Sequence, residues 1–366
     1  MASGPVSAIV LAAGDGRRMR SARPKPLHRL CGRPMIRFVV EALESLDLER
    51  LVVVVGHGRD RIASELLDTK PHADLVDQRV RRGTGDAVLA GLSAFADDLD
   101  VFDDGEVLVV PADMPLLRHD ELEALVAAHR AGDAAATVLT AHVDDPGWRM
   151  RVVRGGRDES IVRVVDHRDT VGHERTITEV ATGVWCFRRS LLAPALRRVE
   201  PDNAAGEIHV GGVVEVLAGT GHRVAAHATG RPDDALGIND RVELSRAEAE
   251  LRRRTNRAWL ARGVTMLDPE RTYVDATVEL APDVTLFPGT ILQGATVVGE
   301  GSEIGPDTRL VDTEVGPGCR VEKTMAERAV VGADSHVGPF AVLSPGASLA
   351  AATVTGPFYT SGADAP

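Results

Sequence analysis

Gly14 and Gly16 stand one residue apart, and Arg17, Arg18 and Lys25 follow them closely. Glycines accept backbone angles that a side chain forbids, and their N–H groups close around a phosphate chain with no Cβ in the way. Cations beside such a turn suit a polyphosphate. The same residues also describe an ordinary strand-to-helix turn with a solvated basic rim, and the glycine spacing alone does not separate the two. Further on, Asp113 ends an apolar run and precedes Met114-Pro115-Leu116. A carboxylate at a strand's carboxyl end can hold magnesium, which takes one or two protein oxygens and fills its shell with phosphates and water. It can equally cap the next helix. Gln78, ahead of Gly83-Thr84-Gly85, carries an amide that donates and accepts at once, as the edge of a pyrimidine requires; a plain loop capping the helix from Asp86 is the other reading.

The elements that must position these residues alternate. Ala8 to Ala13 has the length and β-branching of a buried strand, and Pro34 to Asp47 carries apolar residues at helical spacing. A strand at Leu51 to Val55, a helix to Leu67, a weaker strand at Ala73 to Val76 and a helix from Asp86 to Leu99 follow. Val107 to Val110 is the next strand. This order predicts a mostly parallel sheet with helices on both faces, and ligands on such sheets bind at the carboxyl ends of strands. Past Ala134 the chain reads as sheet, at Ala135 to Ala141, Met150 to Val153, Ile161 to Val165 and Ala181 to Phe187. The 366 residues predict two or three domains. A net charge of −12 argues against a nucleic-acid or membrane-surface protein, so the useful cations are local to a site. Three scattered cysteines, Cys31, Cys186 and Cys319, and an N-terminus without an apolar leader lead to the expectation of a cytoplasmic protein.

Leu11-Ala12-Ala13-Gly14-x-Gly16-x-Arg18-Met19, then Lys25, Leu27-His28 and Gly32-Arg33-Pro34-Met35, resemble the signature of nucleotide-sugar pyrophosphorylases. Leu27-His28 narrows the resemblance to the uridyltransferase half of bifunctional N-acetylglucosamine-1-phosphate uridyltransferase/glucosamine-1-phosphate acetyltransferases. It extends from about residue 6 to about residue 349. It implies a Mg²⁺-dependent enzyme joining a nucleoside triphosphate, UTP by preference, to a sugar-1-phosphate with release of pyrophosphate. Arg18 would hold the leaving pyrophosphate and Lys25 the reacting phosphates. Leu11, Ala12, Ala13, Gly14 and Gly16 would bind the nucleotide, with Gln78, Gly83 and Thr84 reading uracil. Asp113 and Asn239, the latter in Gly237-Ile238-Asn239-Asp240-Arg241, would hold the metal. Asn239 or Asp240 also serves as a helix cap.

The sugar side departs from the family. Its Tyr-Gly-Arg segment falls at Arg149-Met150-Arg151, its Glu-His-Lys at Asp166-His167-Arg168, and its Asn-Thr-Gly at Ala181-Thr182-Gly183. Met150, Asp166, Ala181 and Thr182 are therefore the expected sugar contacts, altered in type. Asn203-Ala204-Ala205-Gly206-Glu207 resembles the family's Asn-x-x-Gly-Glu, but Ile208 and His209 replace two tyrosines and Gly211-Gly212 replaces Thr-Asp. Asp86 stands where the family has histidine. A site that bonds a substrate group rejects ligands that leave its partners unpaired. These changes suggest another sugar or cyclitol phosphate, and a non-catalytic trimeric binding protein is the reading from another class.

Arg241 to Arg262 predicts a helix whose Arg252-Arg253-Arg254 cluster is a solvated face. From Leu280 an aliphatic residue recurs every sixth position through Leu286, Leu292, Val298, Ile304 and Leu310, slips by one at Val315 and Val321, and resumes at Val331. A hexapeptide period marks a parallel β-helix, here of three to four coils. The whole fold expected is α/β: a Rossmann-like mixed sheet for nucleotidyl transfer over 1–240, a linker helix over 241–263, a short left-handed parallel β-helix over 264–353 and a tail over 354–366. The resemblance implies a homotrimer through that β-helix. It also places the acyl site in later coils, and Leu343-Ser344-Pro345-Gly346 lacks the family's first basic residue, so acetyl transfer is expected to be absent.

Overall fold

In a computed structural model the described residues are 5–56, 58–67, 73–80, 82–95, 105–155, 160–201, 203–204 and 206–361. Of the positions read above, 96–99, Ala205 and 362–366 lie outside them. The chain forms two compact units, Met1–His28 with Pro34–Arg241, and Arg29–Arg33 with Val242–Pro366.

The first unit is built on strands β1 (Val6–Ala12), β2 (Leu48–Val55), β3 (Asp74–Asp77), β4 (Glu106–Pro111), β5 (Ala136–His142), β6 (Arg151–Gly155), β7 (Ser160–Val165), β8 (Glu179–Arg188) and β9 (Val224–Ala228). Among the described residues they make one nine-stranded sheet in the order β9-β5-β8-β4-β1-β2-β3, with β6 and β7 branching from β8. β1 is parallel to β2 and β4, and β2 to β3, whereas β8 runs antiparallel to β4 and β5. The sheet is thus mixed, and the parallel half carries the glycine loop.

Alternation along each strand decides which layer a side chain joins. Ile9, Val52, Val54, Val107 and Val109 face one core, with Ala87 and Val88 of α3 (Thr84–Leu92), Leu192 of α5 (Arg189–Leu196) and Val213 of α6 (Val213–Gly219). Ala8, Val10, Val53, Val55, Leu108 and Val110 face the other, against Ile36, Val39 and Leu43 of α1 (Met35–Glu44), Ile62 of α2 (Arg59–Leu67) and Leu122 and Leu125 of α4 (His119–Ala131). All of these side chains are buried. Both cores are almost wholly aliphatic, as a 3% aromatic content dictates.

In the second unit α7 (Arg241–Ala261) leads into a parallel β-helix that has, among the described residues, three faces of five strands each, more coils than the period alone suggested. The first coil begins at Thr265–Met266, ahead of the regular repeat. One face stacks Met266, Leu286, Ile304, Val321 and Val337; the next stacks Val274, Leu292, Leu310, Ala326 and Leu343; the third stacks Leu280, Val298, Val315, Val331 and Leu349. Ala326 fills the position where the aliphatic period broke. The slips are five-residue sides whose corners use left-handed backbone at Asp312, Lys323 and Arg328. Buried Thr290, Thr296, Ser302, Thr308, Thr313, Thr324 and Ser335 line the corners, their hydroxyls bonded to backbone carbonyls of their own or the following coil. Residues beyond 353 still follow the last coil, with Ser361 N–H donating to the Val342 carbonyl at 3.0 Å.

α7 is fastened at its C-terminal half by Asn256, buried, whose amide donates to the carbonyls of Pro269 (2.8 Å) and Thr272 (2.9 Å). Its basic cluster is only partly solvated. Arg253 and Arg254 bond Glu250, and the Arg252 guanidinium lies 4.6 Å from the centre of the Tyr273 ring. A short pair of strands, Arg29–Leu30 and Arg33–Pro34, carries Cys31, whose N–H donates to Glu248 Oε2 at 2.8 Å. Burial first, then the Glu248 charge, pushes the Cys31 thiol far above its ordinary value, which disfavours the thiolate.

Candidate active site

β1 and β4 end side by side, and the Ala112 N–H donates to the Leu11 carbonyl at 3.0 Å. The chain leaving β1 turns at Gly16, whose φ of +60° is left-handed and whose missing Cβ would sit 2.7 Å from Lys25 Cβ. The glycine therefore lets the short 3₁₀ segment Lys25–Leu27 close over the loop. A cavity of about 370 Å³ opens there, lined by Leu11, Ala12, Gly14, Gly16, Arg17, Arg18, Lys25, Pro26, Thr84, Ala112, Asp113 and Asn239.

Four of these side chains form one hydrogen-bonded group. Lys25 Nζ pairs with the Asp113 carboxylate and donates to Asn239 Oδ1 at 2.9 Å. Arg18 Nη2 donates to the same Asn239 oxygen at 2.8 Å. Asn239 is fixed from behind, its amide nitrogen donating to the Gly237 carbonyl at 3.0 Å, and the Ile238 N–H donates to the Asp113 carbonyl at 2.9 Å. Gly237 matters for contact: a Cβ there would lie 3.1 Å from Asp113 Oδ1. Asp113 and Asn239, 126 positions apart in the chain, thus present two oxygens to one cationic nitrogen. That donor set, one carboxylate and one amide oxygen, suits a hard divalent cation with open positions for phosphate and water.

The residues expected to read the base sit at one rim. Thr84 lines the cavity, and its Oγ1 accepts from the Val210 N–H at 3.0 Å. Gln78 lies behind it, with Nε2 donating to the Gly83 carbonyl (3.1 Å) and to Asp86 Oδ2 (3.0 Å). Asp86, the departure noted above, is held in turn by the Arg82 guanidinium at 2.9 Å. Both N–H directions of the Gln78 amide are thereby used inside the loop, and the carbonyl oxygen is what remains of its capacity. Gly83, with φ +112°, could not carry a side chain, because a Cβ would approach the Ile208 carbonyl oxygen to 2.4 Å. Ala13 is buried beside Gly56 and Gly83 lies outside the cavity lining.

The expected sugar contacts divide. Met150 and Asp166 line a second cavity of about 420 Å³, with Arg163, Asp169, Arg198, Asn203, His209 and Gly212 among its other walls. Against the raising effect of burial, hydrogen bonds from the side chain and backbone N–H of Arg168 hold the Asp166 carboxyl below its ordinary value. Ala181 and Thr182 do not line it. The Thr182 hydroxyl donates to the Leu139 carbonyl at 2.9 Å, across the irregularity in the pairing of β8 with β5.

Trp148, Pro26 and Ala112 were not singled out by residue type. Pro26 and Ala112 are neighbours of predicted residues; Trp148, its guanidinium partner Arg18 4.4 Å from the ring centre, carried no signal in the sequence. No group of three or more His, Cys, Asp or Glu side chains able to hold a metal occurs among the described residues. No described helix is long and apolar enough to cross a membrane.

Residues 8–211 match the family described as MobA-like NTP transferase domain. A protein of Streptomyces avermitilis named bifunctional protein GlmU is 44% identical over 355 residues, 97% of this chain and 73% of that one. Proteins of the same name from Kineococcus radiotolerans (44% over 354 residues, 97% and 71%) and Halalkalibacterium halodurans (38% over 343 residues, 93% and 73%) align in the same way.

Proposed function

Since this chain belongs to the MobA-like NTP transferase domain family, among relatives of bifunctional GlmU proteins, and is a nucleotidyltransferase, we propose that it joins UTP to a sugar-1-phosphate with release of pyrophosphate. The observation that carries the reading is the convergence of Arg18, Lys25, Asp113 and Asn239 on one cavity at the glycine loop. In phosphoryl transfer the protein has little covalent work to do, and catalysis is positioning and neutralisation of charge. The sugar phosphate oxygen attacks the α-phosphorus in line and pyrophosphate leaves. Backbone N–H groups of the glycine loop hold the triphosphate, Lys25 meets the α-phosphate and the incoming phosphate, and Arg18 meets the leaving pyrophosphate. Asp113 and Asn239 would hold Mg²⁺, which when bound supplies further charge to the phosphate oxygens.

Gln78 supports UTP. An amide whose nitrogen is already engaged accepts from a base and does not donate to it, which suits the imide N–H of uracil and not the bare ring nitrogen of cytosine. On the sugar side, Met150 fills space that a glycine would leave, and Ala181 has no amide to offer. Losing a hydrogen bond to a bound group costs about 0.5–1.5 kcal/mol, and leaving a buried partner unpaired costs roughly 1–3. We therefore expect N-acetylglucosamine-1-phosphate to be a poor partner, with kcat/KM below that of the best sugar- or cyclitol-phosphate by roughly ten- to a thousandfold. Pyrophosphate release across a panel of sugar phosphates and triphosphates, with and without Mg²⁺, tests both halves of the site. Should N-acetylglucosamine-1-phosphate lead by a wide margin, the substitutions are neutral; should no pair release pyrophosphate, the non-catalytic reading takes over. Ser344, in place of a basic residue, supports the absence of acetyl transfer, so glucosamine-1-phosphate and acetyl-coenzyme A should give no product in the same preparation.

The β-helix is also the element we propose for self-association. Sedimentation equilibrium should return three times the 38.9 kDa chain, and a mass of one chain would remove the trimer from this reading.

A further inference from the structure

Trp148 sits between β5 and β6 on the segment Asp145-Pro146-Gly147-Trp148-Arg149, and none of the chemistry above uses it. The segment is held. Arg151, buried, extends its guanidinium back to the carbonyls of Gly147 (2.8 Å) and Arg149, the residues on either side of Trp148. Gly147 takes left-handed backbone (φ +47°), and its N–H donates to Asp145 Oδ1 at 3.0 Å. The ring so presented lies with its centre 4.4 Å from the Arg18 guanidinium carbon, while Arg18 Nη2 reaches Asn239 Oδ1 at 2.8 Å. A guanidinium stacked on an indole face keeps its N–H edge available in the plane of the stack, so the contact orients the cation without occupying its donors.

We propose that Trp148 is a positioning residue for Arg18: the indole face fixes the guanidinium plane so that its N–H edge meets the leaving pyrophosphate. The proposal rests on the nucleotidyl-transfer reading above. Trp148 is 38% exposed, so its replacement removes little core packing. It also ties the segment that leads into Met150, on the proposed sugar side, to the cation on the phosphate side.

The test is a double-mutant cycle read as pyrophosphate affinity, measured by titration calorimetry on the full chain with Mg²⁺ present. Trp148→Ala should weaken pyrophosphate binding by roughly three- to thirtyfold, the range that a partly desolvated cation–π contact spans. Trp148→Phe, which keeps an aromatic face, should stay within about threefold of the unaltered protein. In an Arg18→Ala background the Trp148→Ala change should add less than about twofold, because the side chain it serves is gone. Unaltered affinity in Trp148→Ala overturns the proposal, and so does a penalty that persists undiminished without Arg18, since that would mark a general disturbance of the loop. If the unaltered protein binds no pyrophosphate, the nucleotidyl-transfer reading fails and this one with it.

Discussion

Lys25→Ala should lower turnover by at least about a hundredfold, or about 2.7 kcal/mol of transition-state stabilisation, with the fold intact. The side chain is only 12% exposed and stands between Asp113 and Asn239, so its charge acts where solvent screens it little. Alanine keeps the Cβ that packs against Gly16, so the loop retains its closure while the ammonium is lost. The measurement is pyrophosphate release at saturating substrates, with the thermal midpoint compared between the two proteins. Near-normal turnover in a folded variant would remove Lys25 from the chemistry and leave it a structural partner of Asp113.

Asp113→Asn is the second large effect. The change keeps the volume and an oxygen but removes the only formal charge in the proposed donor pair. Turnover should again fall about a hundredfold or more, and the Mg²⁺ concentration for half-maximal rate should rise by at least about tenfold, because the ion's affinity depends on ligand charge. Asn239→Asp, which adds a charge at the same place, should shift that concentration in the opposite direction. A Mg²⁺ dependence that is the same in the Asp113→Asn variant as in the unaltered chain would show that the ion is bound elsewhere.

Much of this was legible because it is local. Ala8 to Ala13 and Leu51 to Val55 are apolar runs that end in glycine, and that pattern alone places them in the sheet with the loop at its carboxyl edge. Asn239 is different. Nothing near it in the chain marks an asparagine as a partner of Asp113; only the resemblance brought the two together, and the fold does so by returning the chain past β4. Trp148 was invisible for a related reason. A loop tryptophan has no period, and its place over Arg18 follows from how Arg151 folds the loop back. Gln78 was visible as a residue type but not in the direction of its bonds, which Gly83 and Asp86 decide. In the tail the aliphatic period was lost at Ala326, because alanine does not stand out and because Lys323 and Arg328 turn corners that glycine or asparagine would have announced.

Those uneven sides do not disturb the stacking, so the column can lengthen or shorten by a whole circuit with every strand kept on its own face. Each layer rests on the one before it, whatever number of residues the circuit took: Ile304 lies under Val321, and Val321 under Val337, although the two steps differ in length. Excising 305–321 would set Val337 on Ile304, Ala326 on Leu292 and Val331 on Val298, and every interior neighbour would still be aliphatic. Excising a single side would carry each later strand onto the adjacent face and so change which outward residues lie together. A whole circuit is therefore the step by which this region gains or loses chain without moving a strand to another face.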